Sequence, residues 1–170
     1  TVDLSLYLVT DSTPAILKGR DLCTVVESAY KEVIGLGVPA NYTANPQAAG
    51  VTVVQYRDKT NDTGVQVETA RKLHRVTKKY NVPLLINDRV DVALAIGAEG
   101  VHLGQDDMIR FYGPTKIHEL TSITGFTEAK KLLPENAIIG ISTSSVEEAR
   151  KATADGADYI GIGTMFATPT

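Results

Sequence analysis

Residues 80–108 read YNVPLLINDRVDVALAIGAEGVHLGQDDM, and they hold one strand, one helix and a second strand in succession. VPLLIN (82–87) is an apolar run of the length of a buried strand, and Asn87 and Asp88 end it. Apolar side chains return at helical spacing from Val90 to Ile96, and Gly97 supplies the left-handed residue that closes a helix. GVHLG (100–104) is then a second apolar run, and it leads into Gln105, Asp106 and Asp107. Strand, helix and strand in alternation predict a parallel sheet.

The same grammar extends in both directions. SLYLVT (5–10), VTVVQY (51–56), AIIGIS (137–142) and DYIGIG (158–163) bring the candidate strands to six. Helical spacing lies between them, as in Val65, Thr69, Leu73 and Val76, and from Val146 to Ala154. GAEGVHLG (97–104) and GADYIGIG (156–163) look like copies, each placing Gly-Ala-acid at a helix end before a strand that finishes in glycine. A repeated βα unit explains this, but such units either close into a barrel or spread into a doubly wound sheet. The apolar runs alone do not choose.

With 170 residues, 43% of them hydrophobic, the chain can bury one sizeable core, so residues 1–170 are read as one domain. The balance of 17 basic against 20 acidic side chains provides no global field for nucleic acid or an anionic membrane, so any anion must be bound locally. One cysteine, Cys23, excludes an internal disulfide. No long apolar run and no leader pattern is present, and the reading is cytoplasmic. Stretches 35–49 and 109–125 are rich in Gly, Pro, Asn and Thr without a period, and are read as insertions. The chain starts at Thr1 and stops shortly after the sixth strand; if it is a barrel, it is expected to be incomplete at the C-terminus.

The polar residues at the strand ends carry the chemistry. In VTVVQYRDK (51–59), Gln55, Arg57 and Lys59 alternate and so share one strand face. They either cap the strand, with Asp58 or Asp62 as ion-pair partners, or form an anion-binding surface at the C-terminal mouth. Asn87 and Asp88 end the third run, where Asp88 has the alternative role of a helix N-cap. Gln105, Asp106 and Asp107 end the fourth. In a parallel βα array such ends lie on one rim, the rim where ligands bind. Asp88 and Asp107 are hard oxygen ligands suited to Mg²⁺, which completes its shell with waters and substrate phosphates. With the cations Arg57 and Lys59, the implied ligand is a diphosphate.

Other groups carry less. His74 lies in RKLHRVTKK, read as a solvated helix face, and His118 lies in the second insertion. His102 sits inside an apolar strand and is read as a hydrogen-bonded core histidine; Cys23 is read as packing. Gly161-Ile-Gly163 does not satisfy the dinucleotide pattern.

Taken together, LYLVTDS (6–12), GVTVVQYRDK (50–59), residues 80–108, KKLLPENAIIGIS (130–142) and GADYIGIGTMFATPT (156–170) resemble thiamine phosphate synthases. The resemblance is strongest to the synthase half of enzymes fused to a hydroxyethylthiazole kinase. It implies a (βα)₈ TIM barrel, of which this chain supplies about the first six strands. The implied reaction joins hydroxymethylpyrimidine diphosphate to hydroxyethylthiazole phosphate, giving thiamine phosphate and diphosphate. The implied cofactor is Mg²⁺ on Asp88 and Asp107. The implied substrate-binding residues are Gln55, Arg57, Lys59, Asn87, Ser142, Thr168 and Thr170, with Arg57, Lys59 and Ser142 as catalytic residues. The partners are small molecules, and self-association and a fused kinase domain stay open.

The chain departs from the family pattern in both insertions and in lacking the lysine after Thr170 and the last two strands. Alternatives are therefore a noncatalytic phosphate-binding or regulatory barrel, or a relative acting as a thiazole isomerase. The absence of a paired Cys or His nucleophile agrees with dissociative loss of diphosphate followed by attack of the thiazole nitrogen on a methylene cation.

Overall fold

The computed structural model describes residues 2–35, 50–104 and 125–163. The strands are β1 (Tyr7–Val9), β2 (Val53–Tyr56), β3 (Leu84–Asn87), β4 (Gly100–Leu103), β5 (Ile138–Thr143) and β6 (Tyr159–Ile162). The helices are α1 (Pro14–Leu17), α2 (Leu22–Gly35), α3 (Thr63–Lys79), α4 (Val90–Ile96), α5 (Gly125–Leu132) and α6 (Val146–Asp155). All six candidate strands form, with most ends trimmed by a residue or two and β5 running on one residue to Thr143. Of the two irregular stretches, only the ends lie within the described residues, Gly35 closing α2 and Gly125 opening α5.

Every strand pair is parallel and the spatial order is β1-β2-β3-β4-β5-β6. That order resolves the ambiguity left by the apolar runs, because a doubly wound sheet reverses its strand order at a switch point and this one never does. The sheet is also strongly curled. In a flat sheet the outer strands would stand roughly 24 Å apart at about 4.8 Å per step. Instead the Tyr7 hydroxyl on β1 and the Tyr159 hydroxyl on β6 are 2.6 Å apart. Six successive strands of a βα barrel account for both observations.

Strand alternation separates two environments. Val54, Tyr56, Leu84, Ile86, Val101 and Leu103 point outward into a core shared with Val26, Ala70, Leu73, Val90 and Ala129 of the helices. Val53 and Leu85, equally buried, stand outside that cluster and point into the barrel. The inward parity also carries Tyr7, Gln55, Asn87, His102, Ser142 and Tyr159, one polar side chain from each strand. Gly140 makes this possible. A Cβ there would stand 2.0 Å from Cζ of Tyr159, so the glycine leaves the space the phenol ring fills.

The two Gly-Ala-acid passages are structural equivalents. Gly97 and Gly156 adopt left-handed φ of 67° and 92° and close α4 and α6. The acid that follows then caps the start of the preceding strand: Leu84 N donates to Glu99 Oε2 at 2.9 Å, and Ile139 N to Asp158 Oδ2 at 2.8 Å. Glu99 also accounts for one departure from expectation. His74 is not on a solvated face; it is buried and its Nε2 lies 3.0 Å from Glu99 Oε1, so a polar helix sequence conceals an inward histidine paired at the barrel's base. Cys23 packs against the core as expected. Among the described residues no helix is long and apolar enough to cross a membrane.

Candidate functional site

At the C-terminal mouth, the chain leaves β2 and makes a tight loop over residues 57–62. Asp58 organises it. Its Oδ1 accepts from the amides of Thr60 and Asn61, both at 3.0 Å, and its Oδ2 from the Tyr56 hydroxyl at 2.9 Å and Asn61 Nδ2 at 2.7 Å. Burial pushes the Asp58 carboxyl up, but the Asn61 side chain and the surrounding amides outweigh it and hold the group down at about 2. Asp62, next in the loop, caps α3 through Val65 N. The two acids proposed as partners for Arg57 and Lys59 thus have defined work in shaping the loop.

The alternation of Gln55, Arg57 and Lys59 continues only as far as the strand does. Gln55 is buried inside the barrel, whereas Arg57 and Lys59 lie in the loop beyond Tyr56 and are exposed. The loop nevertheless turns Lys59 back over the rim, where its ammonium pairs with the Asp88 carboxylate. Gln55 Nε2 donates to Asn87 Oδ1, and Asn87 Nδ2 donates to Asp88 Oδ2. Two residues of the QYRDK stretch therefore converge on the Asn-Asp pair of the next strand. Arg57 is anchored through its amide, which donates to Thr10 Oγ1 at 3.1 Å. Its charge helps lower the Asp11 carboxyl, which is held down first by hydrogen bonds from Thr13.

Asp88 is not the helix cap that its position suggested. Arg89 occupies the N-cap of α4 with no side-chain cap bond, and Asp88 takes a left-handed φ of 61°. A non-glycine residue held there costs of order 1 kcal/mol, and its carboxylate faces Lys59 and Asn87 rather than the helix amides. Asp88 N is held by the His102 carbonyl at 2.9 Å.

Inside the barrel the polar residues form one continuous chain. Tyr7 Oη donates to Gln55 Oε1 at 2.8 Å and lies 2.6 Å from Tyr159 Oη. Tyr159 Oη is 2.8 Å from His102 Nδ1, and His102 Nε2 is 2.9 Å from Ser142 Oγ. A hydroxyl has one proton, so directions propagate. Tyr7 gives its proton to Gln55, Tyr159 gives its own to Tyr7, and Tyr159 accepts from His102 Nδ1–H, leaving Nε2 to accept from Ser142. With the Gln55 and Asn87 amides assigned as above, every bond is polarised toward the Asp88 carboxylate. Burial pushes the Tyr7 hydroxyl up to about 12 and the Tyr159 hydroxyl higher still, so both remain neutral.

The structure thus brings Gln55, Lys59, Asn87 and Asp88 together directly and connects Ser142 to them through His102 and the two tyrosines. His102 is a hydrogen-bonded histidine, as read from the sequence, but it belongs to the site's own network. Tyr7 and Tyr159 escaped the sequence reading; their signal was a single polar residue at inward parity in each apolar strand. Asp106, Asp107, Thr168 and Thr170 lie outside the described residues. Among the described residues no three His, Cys, Asp or Glu side chains cluster to hold a metal. Asp88 presents a carboxylate at the rim beside Lys59, a hard oxygen donor of the type Mg²⁺ accepts, and that ion keeps several waters and uses few protein carboxylates.

Comparison with known proteins places this geometry. The family model for thiamine monophosphate synthase matches residues 6–111 and 115–170. A thiamine-phosphate synthase of Alkaliphilus oremlandii is 41% identical over 170 residues, which are 100% of this chain and 65% of that protein. A probable thiamine biosynthetic bifunctional enzyme of Schizosaccharomyces pombe is 44% identical over 99% of this chain and 26% of its own length. A solved thiamine phosphate pyrophosphorylase from Pyrococcus furiosus superimposes with a TM-score of 0.67 at 32% identity, covering 96% of this chain and 61% of that one. The chain spans less than two thirds of the length of these relatives. The sequential parallel barrel and the family match over nearly its whole length lead to one conclusion: the chain belongs to the thiamine monophosphate synthase family.

Proposed function

We propose that this chain provides the diphosphate half of a thiamine phosphate synthase site, joining hydroxymethylpyrimidine diphosphate to hydroxyethylthiazole phosphate. The observation that carries this reading is the convergence of Lys59 and Gln55, from the end of β2, on Asp88 and Asn87 at the end of β3. An exposed cation and a carboxylate with restricted exposure, side by side at the mouth of a barrel, make a surface for an anion and a hard cation together. Arg57 and Lys59 bind the diphosphate, and Gln55 and Asn87 fix the floor beneath it. Asp88, with Asp107 farther along the sequence, would hold Mg²⁺, which would supply charge neutralisation for the leaving diphosphate.

Bond breaking precedes bond making in this proposal. Arg57 and Lys59 stabilise the charge that accumulates on diphosphate as its bond to the pyrimidine methylene breaks. When diphosphate binds, the Ser142 hydroxyl turns its one proton from His102 Nε2 to the same oxygens. The thiazole nitrogen then attacks the methylene carbon, with Thr168 and Thr170 holding the thiazole phosphate, and no protein nucleophile is required. The name of the bifunctional yeast relative supports a second, fused enzymatic domain as a further part of the proposal.

The test uses the full-length protein that contains this chain. Arg57→Ala and Asp107→Ala should each lower Mg²⁺-dependent diphosphate release at least about a hundredfold, the range for loss of a preorganised charge-stabilising group. Unchanged release in Asp107→Ala removes that residue from the metal role, and unchanged release in both overturns the reading.

A further inference from the structure

The loop that carries Arg57 and Lys59 and the turn that carries Asp88 are linked by a second set of side chains, away from the proposed ligand. Arg89 spreads its guanidinium over three partners. Nε donates to Asp91 Oδ1 at 2.8 Å with Nη2 on Oδ2, Nη2 also reaches Thr63 Oγ1 at 2.9 Å, and Nη1 donates to Gln66 Oε1 at 3.1 Å. Gln66 is 6% exposed. Its Nε2 donates to the Asn61 carbonyl at 2.7 Å, with the Asp58 carbonyl farther away at 3.4 Å. The amide is therefore used at both ends, accepting from the α4 side and donating to the loop side.

We propose that Arg89 and Gln66 are positioning residues that set the separation between the cation-bearing loop and Asp88. This rests on reading the rim as the diphosphate and Mg²⁺ site. Among the described residues the loop has little else to register it against β3: Asp58 fixes its internal shape, but the bonds of its carboxylate all stay within residues 56–61. Lys59 itself is an exposed side chain on a flexible four-carbon stem and a poor spacer. The Arg89–Gln66–Asn61 bridge crosses from one loop to the other through a buried amide. Its chemistry is specific at each link. Lysine at position 89 cannot hold Asp91 bidentately and reach Gln66 as well, and glutamate at position 66 accepts from Arg89 but has no donor for the Asn61 carbonyl.

The bridge is tested by amide hydrogen exchange on the protein without ligand. Arg89→Lys should speed exchange of the Thr60 and Asn61 amides by on the order of tenfold, as loss of a charge-assisted hydrogen bond implies. Gln66→Glu should do the same, and the double variant should do no more than either single one. Changes confined to residues 89–93 in Arg89→Lys, or additive effects in the double variant, overturn the proposal. Titration with inorganic diphosphate and Mg²⁺ provides the functional arm. Gln66→Glu should weaken binding severalfold in the native background and clearly less in Lys59→Ala, where Arg57 is the one cation of the loop left to position. Equal losses in both backgrounds mean a merely structural role. A native protein that binds no diphosphate refutes the site reading, while the exchange results still decide whether the bridge couples the two loops.

Discussion

Tyr7 and Tyr159 hold their hydroxyls 2.6 Å apart across 152 residues of sequence, joining the first and the sixth strand through the inside of the barrel. The contact is a consequence of the curl of the sheet, and it links the hydrogen-bond chain that runs from Ser142 to Asp88. Since Tyr7 donates to Gln55, Tyr159 must donate to Tyr7, and the histidine beyond it must present Nδ1–H.

That direction is measurable. In nitrogen-15 spectra, neutral His102 should show a protonated Nδ1 and an unprotonated Nε2. Tyr159→Phe removes the acceptor for Nδ1–H and the donor to Tyr7, and should shift His102 toward the Nε2–H tautomer. A native His102 already in the Nε2–H form would contradict the derived polarity of the chain.

Gly140 should be intolerant of even one methyl group. A Cβ there meets the Tyr159 ring at 2.0 to 2.3 Å, whereas one on Gly163 meets nothing within 4 Å. Gly140→Ala should cost about 1–3 kcal/mol by overpacking, and Gly163→Ala much less. Urea midpoints compare the two, and equal effects would show that the Tyr159 ring moves aside freely.

Asp58 should make stability pH-dependent in acid. Its folded carboxyl sits at about 2, below the ordinary 3.8, so its contribution is complete above about pH 4 and disappears as pH falls toward 2. Because the group is partly solvated, the contribution is about 1 kcal/mol after screening. Asp58→Asn should flatten this part of the stability profile and loosen the loop that presents Arg57 and Lys59. A variant with an unchanged acid profile would show that other carboxyls control it.

Much of the architecture was legible because alternation of apolar runs and helical spacing is a local property. Gly97 and Gly156 marked two helix ends, and all six strands formed where the apolar runs stand. The choice of barrel over doubly wound sheet was not local; it lives in the spatial order of strands, which depends on where each crossover returns. Within the site, Gln55, Lys59, Asn87 and Asp88 were visible as polar interruptions at strand ends. His74 was hidden because helix polarity averages over faces, and only Glu99, 25 residues away, shows why it turns inward. Tyr7 and Tyr159 were hidden because aromatic residues in strands ordinarily signify packing. Their hydroxyl contact is created by curl, and curl is not written in either strand alone.

On the proposed function, the Lys59 and Asp88 rim binds diphosphate together with Mg²⁺. Isothermal titration of inorganic diphosphate, with and without Mg²⁺, into the native protein and Lys59→Ala tests it most directly. Binding should be metal-dependent and should weaken about tenfold or more when the Lys59 cation is removed, the usual scale for a charged hydrogen bond. No binding in either condition, or equal affinity in Lys59→Ala, would contradict it.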